Sequence, residues 1–192
     1  MTNRRVRPVL WAVAALLLLG LVAFLAVGAN GPPDPRLEPL AGSSTPTGAG
    51  GRQGVEGFGE IAFHLQTGSA TGMAGVERCA LLAETDRQLQ QGLMGRRDLS
   101  GYDAMIFRFG ADTTGSFFMR NVPVPLEIAW FDAAGGFVSS TEMAPCPDMD
   151  GCPTYAPAGA YRFALEVLGG GLDRLGIGEG TVLIPGQDCG AG

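Results

Sequence analysis

The segment Phe117–Ile128, FFMRNVPVPLEI, concentrates the residue types best suited to holding a ligand. Pro123 and Pro125 flank Val124, favour extended backbone and withhold amide donors from any sheet. Asn121 offers both a donor and an acceptor, and Phe117 and Met119 place apolar surface beside it. An apolar pocket with a polar tip is a common composition for a small-molecule site. The plainer account has Asn121 satisfying backbone groups at a bend, with the aromatics in the core.

Two carboxylates are candidates for acid–base work. Glu166 lies in the strand-like run YRFALEVL, and burial would raise its pKa toward the range a general base needs. Glu127 with Glu166 would make a glycosidase-like pair if the fold brought them together. The ordinary alternative is an ion pair between Glu166 and Arg96, or a carboxylate that fixes a loop. His64, the single histidine, sits in the alternating run EIAFHLQ without a G-x-S-x-G or reactive-cysteine context, so a surface histidine is expected. Asp148-Met149-Asp150-Gly151 resembles the opening of a calcium loop but lacks the later ligands and the closing Glu. Gly176, Gly178 and Gly180 lack the strand-to-helix setting of a phosphate loop and are expected to form turns. No metal or cofactor is expected.

Cys79, Cys146, Cys152 and Cys189 allow three pairings. Cys146 and Cys152 bracket the short loop PDMDG between Pro145 and Pro153, where a local bridge would hold an otherwise irregular turn. Cys79 and Cys189 would then tie an early strand to the C-terminal tail. A zinc site is the weaker alternative, because C-x5-C exceeds the usual ligand spacing and one histidine is available.

The elements that must position these residues are short. Alternation predicts strands over Glu60–Gln66, Val76–Ala83, Ala104–Phe109, Ser116–Met119, Leu126–Phe131, Phe137–Glu142, Tyr161–Leu168 and Thr181–Ile184. Thr85 and Gln88 spell a capping box for a helix through Leu93, with Leu89 and Leu93 on one face. Gly135-Gly136 marks a hairpin, and a second short helix is expected around Leu172–Leu175. The predicted fold is a mainly antiparallel α+β domain, a small barrel or strongly curled sheet with one or two short helices.

Val9–Ala29 is an uncharged apolar run in a chain of 192 residues. At about 1.5 Å per residue it would span roughly 30 Å, enough for a bilayer core. Arg4, Arg5 and Arg7 precede it and should stay cytoplasmic, which exports the chain beyond Asn30. Residues 1–30 are therefore expected to be a membrane anchor, or alternatively a cleaved signal peptide that leaves a secreted protein. Residues 31–58 are rich in Gly, Pro, Ser and Thr and are expected to be a flexible linker. Residues 59–192 are expected to form one extracytoplasmic domain. All 13 basic residues are Arg, and beyond the first three the balance is 10 basic against 19 acidic. Such an acidic body lacks the basic footprint of a nucleic-acid binder.

Several ordered motifs share one pattern: Gly92-Leu93-Met94 with Arg96; Met105-Ile106-Phe107-Arg108-Phe109; Phe117-Phe118-Met119-Arg120-Asn121 with Pro123, Pro125 and Leu126; and Leu165-Glu166-Val167 before the glycines at 169–171. Over about residues 60–185 the chain resembles the family known as domain of unknown function number 192. The tract from Pro145-Cys146 to Cys152-Pro153 and Tyr155 resembles its exported, cysteine-bearing branch. The resemblance implies a compact β-rich fold, often secreted or anchored, and carries no agreed activity. It also implies departures, because the family usually has Trp at Phe118, Lys at Arg120, Thr at Val122 and Asp at Glu127. Met94, Arg96, Phe107, Phe117, Met119, Asn121 and Pro125 stand as the candidate ligand contacts. The expected function is a tethered binding module for a small molecule, glycan or envelope protein. A small hydrolase-like enzyme using Glu166 or Glu127, or a structural part of an envelope complex, are the alternatives.

Overall fold

The computed structural model describes residues 51–67 and 75–189. The expected membrane segment over Val9–Ala29 and the expected linker as far as residue 50 lie outside the described residues. Among the described residues no helix is long and apolar enough to cross a membrane.

The strands are β1 (Gly59–Thr67), β2 (Arg78–Ala83), β3 (Ala104–Thr113), β4 (Phe117–Phe118), β5 (Leu126–Phe131), β6 (Phe137–Met143), β7 (Thr154–Tyr155), β8 (Tyr161–Leu168) and β9 (Thr181–Pro185). Two short helices are α1 (Asp86–Gln91) and α2 (Gly171–Leu175). Seven strands form one sheet in the order β6-β5-β8-β3-β2-β1-β9, and β4 pairs with β7 in a separate ribbon. All pairs in the large sheet are antiparallel except β2 with β3. That parallel pair needs a crossover, which α1 and the loop after it supply.

The sheet curls into a half-barrel until its edges approach. Leu183 N donates to Gly135 O at 2.8 Å, and Gly136 bridges Val182. Gly135 makes this approach possible, because its φ is +83° and an added Cβ would lie 2.0 Å from Leu183 O. The predicted hairpin glycine thus also closes the sheet.

Both faces of the central strands are buried, which explains their nearly unbroken apolar runs. Leu81, Met105, Phe107, Ile128 and Trp130 pack on one face. Ala80, Ile106, Ala129, Phe131, Leu165 and Val167 pack on the other. The capping box of α1 is made in full: Thr85 Oγ1 accepts from Gln88 N, and Gln88 Oε1 accepts from Thr85 N. Residues 51–58, assigned to the linker by composition, already pack on the domain. Val55 and Phe58 touch the first core cluster, and Gln53 N donates to Ser100 O at 2.9 Å. Gln88 Nε2 reaches Gly57 O at 2.7 Å.

The two disulfides pair Cys79 with Cys189 and Cys146 with Cys152, as expected. The Cys146–Cys152 loop is stitched to the segment before β5. Cys146 N donates to Val122 O at 3.2 Å, and Arg120 forms ion pairs with Asp148 and Asp150. The calcium-like aspartates therefore clasp an arginine. Bridges of this kind belong to oxidising compartments and hint at an extracytoplasmic location. Among the described residues, one cluster of metal-ligand types exists, Glu60 with Cys79 and Cys189; its sulfurs are tied in the disulfide.

A buried carboxyl in an aromatic cavity

Next to the bulged half of β3 lies a half-open cavity of about 150 Å³. Strands β3 and β8 run in register from Met105↔Glu166 to Arg108↔Phe163, then slip so that Thr113 faces Tyr161. The extra residues of β3 spread the two strands where the cavity opens. One wall comes from the end of α1, where Leu89, Leu93 and Met94 approach Phe107. Gly92 permits this approach: its φ is +45° and an added Cβ would lie 3.2 Å from the Phe107 ring.

Aromatic rings make much of the remaining wall, with Gln90, Gln91, Thr113 and Ser116 as its polar parts. Phe107 and Phe117 meet edge to face with centroids 5.0 Å apart, and Phe109 meets Tyr161 in the same way at 5.3 Å. Tyr161 donates its hydroxyl to Gly115 O at 2.8 Å, which fixes the turn before β4. Burial pushes the Tyr161 pKa up to about 12, so it stays protonated. Phe118 stands at the mouth, 45% exposed.

Glu166 reaches this cavity from β8 and is 4% exposed. Its cross-strand neighbours are Met105 and Ile128. Among the described residues its carboxyl has neither a hydrogen bond nor an ion pair. Desolvation raises its pKa from the ordinary 4.5 to about 8, so it is a neutral acid at physiological pH.

Of the residues singled out from sequence, Met94, Phe107, Phe117 and Glu166 line this one cavity. The others do not. The expected Arg96–Glu166 ion pair is not formed: Arg96 Nη2 donates to Ser100 Oγ at 2.6 Å within its own loop. Met119 is fully buried in the core. Asn121 adopts a left-handed φ of +58°, and its carbonyl accepts from Gly95 N at 2.6 Å while its side chain is exposed. Asn121 thus serves the bend through its backbone; among the described residues its side-chain amide makes no hydrogen bond, and Phe117 near it lines the cavity. Pro125 borders a different groove, beside Glu127 and Tyr155. His64 is partly buried, with Nδ1 2.9 Å from Gly75 O and Nε2 3.7 Å from Glu77.

The glycosidase-like pair is excluded by the pleat. Glu127 faces Val167 across β5–β8, whereas Glu166 faces Ile128, so the two side chains project from opposite faces of the sheet. The Glu127 carboxylate accepts from Gly170 N and Leu172 N, both at 2.8 Å. It anchors the turn into α2. Glu127→Ala is therefore expected to cost about 1–3 kcal/mol, the range for backbone donors losing their acceptor. Urea unfolding measures this; a cost near zero would mean the turn is held without the carboxylate.

Phe109, Phe118, Val122 and Tyr161 were not among the residues expected to contact a ligand. Phe109 was findable in principle, since it shares a strand face with Phe107. Tyr161 was not: alternation along β8 puts it with Phe163 and Leu165, yet it joins Phe117 and Trp130.

A family model for DUF192, described as "Uncharacterized ACR", matches residues 69–184. Two solved structures share the fold. One is a protein from Sinorhizobium meliloti 1021, provisionally described as a transcription regulator. It is 24% identical with a TM-score of 0.56, covering 69% of this chain and 98% of that one. The other is a protein of unknown function from Novosphingobium aromaticivorans DSM 12444. It is 26% identical with a TM-score of 0.56, covering 69% and 89%. No curated protein matches the chain.

Proposed function

The chain belongs to the DUF192 family, and from that premise we propose that it is a membrane-tethered, extracytoplasmic module that binds a small ligand in the cavity around Glu166. The carrying observation is the buried, unpartnered Glu166 carboxyl in an aromatic cavity. Leaving such a group without a partner costs free energy that a ligand recovers by bonding to it. The cavity volume matches a six-membered ring, since an apolar cavity of about 150 Å³ admits benzene. The tether belongs to the same proposal, supported by Val9–Ala29 with the arginines before it and by the two disulfides. A mature N terminus near residue 30 on a mass spectrum would replace the anchor by a cleaved signal peptide.

The test is a thermal-shift panel of sugars, cell-wall fragments, metabolites and metals on the full-length oxidised chain in detergent. A ligand at about a hundred times its Kd adds roughly 2.7 kcal/mol, a rise of several degrees in Tm for a domain of this size. The rise should shrink in Phe118→Ala, whose ring stands at the cavity mouth. A rise untouched by Phe118→Ala and by Glu166→Gln would remove the cavity from the reading. No rise for any compound would count against ligand binding and for a structural role in an envelope complex.

A catalytic reading is favoured by the burial of Glu166 in a cavity, which pushes its pKa up to about 8, a range that suits a general acid or base at neutral pH. It requires that Glu166→Gln abolish turnover of a bound compound while leaving its binding in place.

A further inference from the structure

The chemistry of the cavity restricts its occupant further. Its only titratable lining groups, among the described residues, are Glu166 and Tyr161. No Arg or His from α1, β3, β8 or the segment before β5 reaches it. Arg120 borders the outer mouth beside Phe118 and Met94, but Asp148 and Asp150 already engage it. An anionic ligand would meet no cation there and would have to lie against a carboxyl. A cation would meet the opposite situation. Phe107, Phe117, Phe109 and Tyr161, in two edge-to-face pairs with planes at 87° and 86°, line the space, and the π faces of such rings attract ammonium groups. Beyond the N-terminal arginines the chain is also strongly acidic, which favours the approach of cations.

We propose that the cavity takes an organic ammonium ion with a head about the size of a trimethylammonium group, its charge set against Glu166 and its methyl or methylene groups against the rings. This rests on the small-ligand reading above and names its ligand class. Binding has a proton balance. Without a cation beside it Glu166 is the neutral acid, so when the cation enters, the acid proton leaves to solvent and a carboxylate–ammonium pair remains. Affinity therefore rises with pH up to about 8, the Glu166 pKa, and levels off above it. Tyr161 stays protonated throughout that range.

Titration calorimetry of the full-length chain in detergent tests this with choline and its uncharged isostere dimethylbutanol, in which carbon replaces nitrogen. Choline is expected to bind at least about tenfold tighter. Near neutral pH it should release about one proton, read from the dependence of the heat on buffer ionisation enthalpy. That release should vanish about one unit above the Glu166 pKa. Glu166→Gln, with its fold checked by circular dichroism, should abolish both the preference and the proton release. Phe118→Leu, at an exposed position where folding is not at stake, should weaken choline severalfold and leave the isostere unchanged. Equal binding of the two probes, or choline binding that survives in Glu166→Gln without proton release, overturns the ammonium assignment and leaves the small-ligand reading standing. Binding of neither probe at about 10 mM also overturns it, and the thermal-shift panel then decides the broader reading by itself.

Discussion

Glu166→Gln is expected to make the domain markedly more stable than wild type at alkaline pH, and to change little at acid pH. The folded-state pKa of Glu166 lies near 8, against 4.5 for the exposed group. Below about pH 4.5 both states hold the proton and the residue adds no pH dependence. Between the two values the unfolded chain has lost its proton while the folded chain keeps it. The folded state binds more protons there, so stability falls as pH rises, by about 1.4 kcal/mol per unit for one group. Across the window the loss is on the order of 4–5 kcal/mol, and above the folded pKa it levels off. Glutamine cannot ionise and escapes this loss while keeping nearly the same shape. Urea midpoints at about pH 4 and pH 9 should separate wild type from variant only at the higher value. The corresponding gain in Tm is on the order of 10 °C. Parallel pH profiles would show that Glu166 is not held in a desolvating, unpartnered site, and would remove the basis of the cavity as a functional feature.

Removing the Cys79–Cys189 disulfide by a double serine substitution is expected to cost about 4–5 kcal/mol, against about 2 kcal/mol for Cys146–Cys152. The difference follows from the loops they close, with sequence separations of 110 and 6. The longer cross-link removes far more freedom from the unfolded chain. Domains of this size have a total stability of about 5–15 kcal/mol, so the first loss takes much of it. The shorter clasp should matter more for binding. It holds Val122 and Arg120 through the Cys146 bridges, and Val122 lines the cavity. Denaturant unfolding of the two double variants decides the ranking. Equal costs, or the reverse order, would mean that strain or residual structure outweighs chain entropy.

The N-terminal hydrophobic run and the acidic balance beyond it are properties of the chain alone. So are most strands, because alternation and capping are local signals. Leu126–Phe131 and Tyr161–Leu168 were bounded to the residue, and Thr85 with Gln88 announced the start of α1. The disulfide pairing was also legible, since the short loop between Cys146 and Cys152 leaves one partner each for Cys79 and Cys189. The parallel β2–β3 pair was not legible, because strand direction within a sheet depends on which partners the whole chain brings together. Nor was the cavity. It arises where β3 bulges against β8, turning Tyr161 onto the face of Glu166 against the alternation of its own strand. Residue types alone made Glu127 and Glu166 equivalent carboxylates. The sheet pleat and the turn into α2 made one of them a backbone anchor and left the other buried, unpartnered and facing a space lined by rings.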